Sequence, residues 1–274
     1  MIELPEAVTL AGQLQQSIHG KVVKDVTVGQ TPHKFAFFSE PDRYGSLLKG
    51  KRIEGAESSG GYVEILVEDD VSILVGDGAR LLLHKDISTL PKKHQLLIEF
   101  TDGTFISATV QMYAMLYCQK RAEIENKYYL ISKAKPSPLT DEFNLTYFKN
   151  LITESKPSFS AKAFMATEQR IPGLGNGVLQ DILYTAKIHP RAKLSQLSVA
   201  QQENLFDSLK NIFKKMTDQG GRDTERDLYD NAGGYQTLIS KNTVGSECPA
   251  CKNLIVKEAY LGGSVYYCPQ CQQL

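Results

Sequence analysis

The sequence lacks net charge, long hydrophobic runs and any secretory signal. Its 31 basic residues balance 31 acidic residues, so no global field draws the chain to nucleic acid or to an acidic membrane. Without an apolar run of membrane-spanning length or a signal peptide, we expect a cytoplasmic protein with no membrane partner. A content of 42% hydrophobic and 23% charged residues is ordinary for a soluble globular chain. Any contact with a polyanion must therefore come from a local cluster of residues.

Cysteine is scarce until the C-terminus, where four of the five cysteines lie in two Cys-x-x-Cys pairs, Cys248 with Cys251 and Cys268 with Cys271. Two such pairs can offer four thiolates to one tetrahedral ion, and the residues between them suffice for a β-hairpin. We expect one structural Zn²⁺, because four thiolates leave no open position for an activated water. A pair of disulfides or a redox motif is the alternative, which the missing signal peptide disfavours. Cys118 is predicted to be a small buried hydrophobe without a role.

The first 130 residues have the pattern of a β-rich domain behind an opening helix at residues 7–18. Seven short segments rich in β-branched and aromatic residues are separated by turn signals: 21–28, 34–39, 62–68, 71–75, 80–84, 96–100 and 104–110. So many short strands at this spacing predict a two-sheet sandwich or barrel.

The rest of the chain has helical periodicity and a glycine-rich turn. Residues 141–152 and 199–216 carry apolar side chains at helical spacing, and the proline-containing stretch 133–140 is predicted to be a linker. Between the helices, Gly173, Gly175 and Gly177 precede a helix at 178–186. Such glycines permit a tight turn whose amides are free for an anion such as a phosphate, although a plain interhelical turn is an equal alternative. The predicted domains are therefore 1–132, 141–240 and a zinc hairpin at 241–274.

A set of motifs in one order resembles the formamidopyrimidine-DNA glycosylase and endonuclease VIII family of base excision repair enzymes. The resemblance covers nearly the whole chain and rests on these motifs: Glu3-Leu4-Pro5-Glu6, Lys162 eight residues before Arg170, Gly173-Leu-Gly-Asn176 with Ile188-His189-Pro190, and the four-cysteine hairpin. It implies an α+β multidomain fold, with an N-terminal β-sandwich and helix, a helix-two-turn-helix domain and a C-terminal zinc β-hairpin. It also implies that damaged duplex DNA lies between the domains, with one nucleotide flipped out because a stacked base hides its glycosidic bond.

The resemblance also implies roles for individual residues. In the family the N-terminal amine attacks C1′ of the sugar to form a Schiff base, while Glu3 matches an acid that protonates the sugar or leaving group and Glu6 a supporting carboxylate. Those two roles need opposite protonation states, so one pKa should be raised relative to the other. Lys162 and Asn176, with the amide of Gly175, match positions that hold backbone phosphates. The alternative is that both glutamates are merely exposed residues ahead of a helix.

Four residues depart from the family pattern at functional positions. Ile2 stands where the family has the proline that becomes its nucleophile, so we expect Met1 to be retained and to offer a primary amine. An α-amine can still form a Schiff base. Gly61 replaces a catalytic lysine, Asp77 a methionine that fills the gap left by the flipped base, and Gly263 a hairpin arginine that contacts DNA.

A mixed-charge segment at 220–227 lies where the resemblance puts a loop near the damaged base. Arg222 in this segment could replace a missing cation and contact DNA, although a solvated loop is the commoner outcome for such a sequence. The sequence thus predicts a glycosylase or abasic-site lyase of base excision repair with altered catalytic residues. The alternatives are a catalytically inactive protein that binds DNA or another structured nucleic acid, and a zinc scaffold that binds neither. We expect a monomer that binds damaged or abasic double-stranded DNA at the nucleoid.

Overall fold

Helix α1 (Leu4–Ile18) opens the chain and packs against the sheet that follows it. The computed structural model describes all 274 residues. Leu10, Leu14 and Ile18 recur at helical spacing on the buried face of α1, and the chain turns away at Gly20, whose positive φ of 79° suits glycine. The predicted helix at 7–18 is confirmed and begins three residues earlier.

Seven strands form the sheet structure of the N-terminal domain. They are β1 (Val23–Val28), β2 (Ala36–Phe37), β3 (Ile53–Ser59), β4 (Tyr62–Val67), β5 (Val71–His84), β6 (Leu96–Phe100) and β7 (Phe105–Lys120). The order is β1-β6-β7-β5-β4-β3, with β2 parallel to β7. A bulge between Asp77 and Ala79 interrupts the pairing of β5 with β7. A core of 28 buried residues fills the interior, as the predicted sandwich requires.

Several predicted strands have different bounds in the structure. The segments 71–75 and 80–84 are one strand, β5, and the segment 104–110 continues as β7 to Lys120. Only Ala36–Phe37 of the segment 34–39 is a strand, and β3 was not predicted. Helix α2 (Tyr44–Leu48) also lies in this domain. Cys118 is 1% exposed in the core, as predicted.

Helix α3 (Lys127–Ala134) connects the sandwich to the helical domain and was not predicted. Asn126 caps it by accepting a hydrogen bond from the Tyr129 amide at 2.9 Å. The Tyr129 hydroxyl and the Lys133 ammonium both donate to the buried carboxylate of Glu64 in β4, at 2.5 and 3.0 Å. Residues 133–134 are therefore helical rather than the start of the linker, and the stretch free of helix runs over 135–144.

The helical domain contains α4 (Leu145–Thr153), α5 (Ala161–Met165), α6 (Asn176–Thr185) and α7 (Val199–Asp218), around a core of 23 buried residues. Helix α4 begins four residues later than predicted because the Asn144 side chain caps it, accepting from the Tyr147 amide at 2.9 Å. The predicted helix at 199–216 is confirmed as α7, which Ser198 caps. None of the helices is long and apolar enough to cross a membrane.

The C-terminal hairpin pairs β8 (Val256–Tyr260) with β9 (Gly263–Tyr267). It is joined to the helical domain through Asp181 of α6, whose buried carboxylate accepts from the amides of Leu238 and Ile239 at 2.9 and 2.8 Å. Burial raises the pKa of Asp181 to about 6, while these two hydrogen bonds oppose the shift. The connection fixes the hairpin beside the N-terminus of α6, where the functional residues converge.

Candidate active site at the domain junction

One cleft of about 650 Å³ lies between the sandwich, the helical domain and the tip of the hairpin. Residues far apart in sequence line it, and they include almost every residue singled out above: Met1, Ile2, Glu3, Gly61, Asp77, Lys162, Gly175, Asn176, Arg222 and Gly263. A second cavity of about 310 Å³ adjoins it and is lined by Met1, Glu6 and Glu225 among others. The fold thus brings the predicted site residues and the four departures together.

The carboxylate of Glu3 occupies the N-terminus of α6. It accepts hydrogen bonds from the amides of Gly175 at 3.1 Å, Gly177 at 2.7 Å and Val178 at 2.9 Å, and Glu3 is only 2% exposed. A Cβ atom on Gly175 would lie 2.6 Å from the Glu3 carboxyl carbon, so this approach requires glycine.

The prediction that these turn amides are free for a phosphate is wrong. The turn does hold an anion at a helix N-terminus, but that anion is a side chain of the protein itself. The amide of Gly175 is engaged by Glu3 in this structure, and its contact with DNA stays a prediction.

Arg222 lies between Glu3 and Glu6 in the interior. It donates to Glu6 from its backbone amide at 3.0 Å, from Nε at 3.0 Å and from Nη2 at 2.8 Å, and to Glu3 from Nη1 at 3.2 Å. Nη2 also donates to the Met1 carbonyl at 3.2 Å. Arg222 is 2% exposed and Glu6 5%, so the alternatives of a solvated loop and of exposed glutamates are wrong.

The predicted DNA contact of Arg222 is corrected by the same geometry. A buried guanidinium must be paired, and the two carboxylates of the N-terminal segment pair it completely. The sequence could not predict this pairing, because Glu3 and Arg222 are more than two hundred residues apart in the chain and meet only in the folded protein.

The two glutamates have pKa values shifted in opposite directions. Burial raises the pKa of Glu3 above its ordinary value, and the nearby charge of Glu6 adds to this against the opposing charge of Arg222. Burial alone would also raise the pKa of Glu6, but the charge and hydrogen bonds of Arg222 outweigh it and lower that pKa. A carboxylic acid that donates a proton beside a carboxylate that stays ionised must have the higher pKa of the two, as Glu3 has here relative to Glu6.

The N-terminal amine of Met1 forms an ion pair with the carboxylate of Glu225. The amine and Glu225 lie where the cleft meets the adjoining cavity. The next residue, Ile2, is buried and donates its amide to the carbonyl of Asp77 at 2.7 Å, which fixes the start of the chain against the bulge of β5. Sequence reasoning missed Glu225, whose only signal was its place in the mixed-charge segment.

Lys162 and Asn176 lie together on the opposite wall of the cleft and contact the hairpin. Lys162 Nζ donates to the carbonyl of Tyr260 at 2.6 Å, and Asn176 Nδ2 donates to the carbonyl of Ser264 at 2.8 Å. Burial lowers the pKa of Lys162. The Oδ1 atom of Asn176 is buried without a hydrogen-bond partner, and a Cβ atom on Gly263 would lie 3.4 Å from Lys162 Nζ. The wall therefore offers an ammonium and an unused amide oxygen beside the hairpin tip.

Gly61 and Asp77 lie on the sandwich side of the cleft. A Cβ atom on Gly61 would lie 3.1 Å from the carbonyl oxygen of Ile2, closer than side chains normally approach backbone, so a larger residue needs a backbone shift. Asp77 adopts a left-handed conformation with φ of 60°, and burial raises the pKa of its carboxyl group. Met112 and Tyr113 nearby are 56% and 44% exposed and present apolar surface to the cleft.

The four cysteines of the hairpin region converge on one point. Their sulfur atoms all lie within 4.8 Å of one another, with Cys251 and Cys268 at 3.4 Å and Cys248 and Cys271 at 3.8 Å. A tetrahedral ion with Zn–S bonds of about 2.3 Å separates its sulfur ligands by about 3.8 Å. The Tyr184 hydroxyl lies 3.2 Å from Cys248 Sγ, as an outer-shell partner would. The donor set and spacing fit a four-thiolate zinc site.

Comparison with known proteins relates both large domains to one family. Residues 1–109 match the model of the formamidopyrimidine-DNA glycosylase N-terminal domain, and residues 135–227 match that of the formamidopyrimidine-DNA glycosylase H2TH domain. A formamidopyrimidine-DNA glycosylase of Lactobacillus gasseri is 27% identical over 281 residues, covering 100% of this chain and 99% of the relative. That of Bacillus cereus is 25% identical over 278 residues, covering 99% of each.

Solved structures of the Lactococcus lactis Fpg share the fold. Its complex with DNA containing an abasic site has a TM-score of 0.85 at 25% identity, covering 99% of this chain and 100% of that one. Its complex with DNA containing N7-benzyl-Fapy-dG has a TM-score of 0.86 at the same identity and coverage. Both neighbours hold DNA with a lesion.

Proposed function

The chain belongs to the formamidopyrimidine-DNA glycosylase family, and from this premise we propose that it binds damaged or abasic duplex DNA in the junction cleft and cleaves there. The substrate is a nucleotide flipped from the duplex, and the reaction is cleavage of the glycosidic bond or of an abasic site through a Schiff base. A monomer at the nucleoid is part of this proposal, as are domain limits of 1–132, 141–240 and 241–274.

The convergence of an amine and two buried carboxylates in this cleft carries the proposal. Glu3 and Glu6 come from the first six residues and pair with Arg222, Glu3 also binds the N-terminus of α6, and the Met1 amine beside them pairs with Glu225. Burying two carboxylates around one arginine is costly unless the arrangement is used, and such clusters mark sites where protonation states are tuned.

We assign the chemical roles from the contacts of each group. The Met1 amine is the nucleophile because it lies in the cleft as a primary amine. Glu3 is the acid for the leaving base or the sugar oxygen, which suits its raised pKa. Glu6 stays ionised and holds Arg222, which orients Glu3 and the Met1 carbonyl. Glu3 accepts four hydrogen bonds in this state, so one donor must withdraw when the carboxyl group takes a proton.

Phosphate binding belongs to the opposite wall in this proposal. Lys162 supplies a cation and Asn176 the second N–H of its side-chain Nδ2 beside the helix start, and both residues are held by the hairpin. The hairpin in turn depends on its metal, so we propose one structural Zn²⁺ held by Cys248, Cys251, Cys268 and Cys271. Bound zinc would stabilise the hairpin and take no part in the reaction, because its four thiolates leave no open coordination position.

A protein that binds damaged DNA without cleaving it is the second candidate. The observation that favours it is Gly61, where the structure has no cation and where a Cβ atom would lie 3.1 Å from the Ile2 carbonyl oxygen, a tight contact that needs a small shift of that backbone. The three amides that donate to Glu3 also favour its ionised form and so oppose the rise in its pKa that burial causes. Both features would persist in a binding protein that had lost its chemistry.

Borohydride trapping separates the two candidates. The protein is incubated with duplex DNA carrying an abasic site, and borohydride then reduces any Schiff base to a stable adduct. An adduct that maps to Met1 supports the proposed enzyme, and Glu3→Gln should then slow release of a damaged base. Tight lesion binding without adduct or cleavage supports the binding protein. Neither binding nor cleavage would refute both, and intact mass shows whether Met1 is retained.

A further inference from the structure

We propose that Glu225 is the catalytic base that accepts the proton of the Met1 amine before the amine attacks C1′. This inference rests on the proposed function and deepens it by naming the group that generates the nucleophile. It assigns a role to a residue outside the motifs by which the chain resembles its family.

The contacts of the amine single out Glu225 among the carboxylates of the site. The amine pairs with Oε2 of Glu225, whereas Glu3 is bonded to the amides of α6 and Glu6 to Arg222. The Glu225 side chain is 23% exposed and borders both the cleft and the adjoining cavity. A base in this place touches the reacting nitrogen and can still be covered by bound DNA.

Backbone and side-chain contacts hold Glu225 in place. Its amide donates to the carbonyl of Arg222 at 3.0 Å, and its carbonyl accepts from the amide of Gly233 at 3.3 Å. Further along the loop, Leu228 is fully buried in the sandwich core, and its amide donates to Gln13 of α1 at 2.9 Å. The carboxylate is therefore positioned before substrate arrives, as a proton acceptor has to be.

The remaining charged groups around the amine cannot take its proton. Arg80 of β5, Arg226 of the loop and Lys241 are cations that line the adjoining cavity. Glu6 of α1 also lines it, but its two oxygens are engaged by Arg222 and by the Glu3 amide. Gly61 provides no group at all. Asp77 also lines the cleft, but Glu225 is the carboxylate that pairs with the amine and remains at the nitrogen once DNA excludes water.

The proton transfers balance on the aldehyde of an abasic site. The ammonium gives one proton to Glu225, and the neutral amine forms a bond to C1′ while the carbonyl electron pair moves to oxygen. Glu225 returns the proton to that oxygen and then takes a second proton from the nitrogen, giving a neutral carbinolamine. Glu225 gives this second proton to the hydroxyl, which leaves as water while the nitrogen lone pair forms the C=N bond of the iminium ion. Overall, ammonium and aldehyde give iminium and one water.

Single-turnover trapping on abasic duplex DNA tests this role, with Glu225→Gln as the variant. Glutamine keeps the shape and removes the base, so we expect the trapping rate near neutral pH to fall on the order of 10²-fold with DNA affinity unchanged. The deficit should narrow in alkaline solution, because hydroxide there can take the proton in place of Glu225. Asp230→Asn is the matched control, because Asp230 is an exposed carboxylate on the same loop that pairs with Arg80 and not with the amine.

Four results would overturn the inference. They are an unchanged or faster rate for Glu225→Gln, a deficit that is the same at every pH, an equal loss for Asp230→Asn, and an intact mass without Met1. Absence of an adduct with the wild-type protein would refute the proposed function and this inference together, whereas a normal adduct in Glu225→Gln refutes this inference alone. If Glu225→Gln does not fold, Glu225→Asp tests the same role. Aspartate keeps the carboxylate but places it farther from the amine, so we expect a smaller loss of trapping rate.

Discussion

Replacing Arg222 with methionine should destabilise the protein severely at neutral pH. Methionine fills a similar volume but removes a guanidinium whose Nε, Nη1 and Nη2 atoms all donate to buried carboxylates. Removing one partner of a buried ion pair typically costs about 3–5 kcal/mol, because it leaves an unpaired charge inside the protein. Here two carboxylates, Glu3 and Glu6, lose their shared cation, so we expect a loss in the upper part of that range.

The loss should depend on pH in a defined direction. Arg222 lowers the pKa of Glu6 below its ordinary value of 4.5, so in the wild type this group contributes stability above that pH and the contribution is lost as the pH falls. Without Arg222, burial raises the pKa of Glu6 instead. Protonation then relieves the variant as the pH falls, and the difference in unfolding free energy between wild type and variant should shrink towards about pH 4.

Urea unfolding at neutral pH and at about pH 4 measures both effects. Arg226→Met is the matched control, because Arg226 lies in the same loop but is exposed, and it should lose less than about 1 kcal/mol. Adding Glu6→Gln to Arg222→Met should recover part of the loss by removing one unpaired charge. A loss for Arg222→Met below about 1 kcal/mol, or one that does not change with pH, would refute the assignment of a buried carboxylate–arginine–carboxylate cluster.

Three further predictions test the surroundings of this cluster. Gly175→Ala should slow release of a damaged base without unfolding the domain, because its Cβ atom would displace the Glu3 carboxylate; normal release would contradict this reading. Asp181→Ala should lower the unfolding free energy by about 2–4 kcal/mol in urea titrations, since two buried amides lose their acceptor, and a loss below about 1 kcal/mol would contradict it. Removal of zinc with a chelator should unfold the hairpin and weaken DNA binding, while hydrogen exchange should show that the core of the sandwich stays folded. Unchanged DNA binding after verified loss of the metal would show that the hairpin does not contribute to the DNA site.

Elements with strong local periodicity could be predicted from the sequence. The helix at 199–216 and the strand at 96–100 have clear apolar patterns, and both were found with nearly the predicted bounds. Helix α3 was missed because its buried face consists of little more than Tyr129. The hydroxyl of this residue is held in the interior by a hydrogen bond to Glu64 of strand β4. Long-range contacts of this kind leave no periodic signal.

Strand β5 shows how a turn signal can mislead. Gly76-Asp77-Gly78 has the composition of a turn, and the sequence was therefore divided into two strands there. In the structure the same residues form a bulge, with Asp77 in the left-handed region and pairing to β7 on both sides. The bulge bends the strand and presents the Asp77 carbonyl to the Ile2 amide. The interruption between the two predicted strands is thus a bend within one strand rather than the end of a strand.

Most residues of the candidate site could be singled out from the sequence, but the contacts between them could not. The motif order brought Glu3, Glu6 and Asn176 to attention, yet the contact of Glu3 with the glycine turn spans more than 170 residues and has no local signature. Arg222 and Glu225 were noticed at most as members of a charged segment. Their partners are fixed by the docking of the 222–235 loop on the sandwich, which depends on tertiary packing.

The charges of the cluster formed by Glu3, Glu6, Glu225, Arg222 and the Met1 amine bear on where phosphate binds in the proposed function. The three glutamates form their ion pairs with Arg222 and the Met1 ammonium, so the cluster carries one net negative charge when all five groups are ionised, while Arg80, Arg226 and Lys241 line the adjoining cavity. Such a cluster favours the positive charge that develops at C1′ as the glycosidic bond breaks or an iminium ion forms. The proposed function therefore assigns phosphate binding to Lys162 and Asn176. The burial of Arg222 between two carboxylates is therefore compatible with catalysis, even though it removes that cation from the DNA surface.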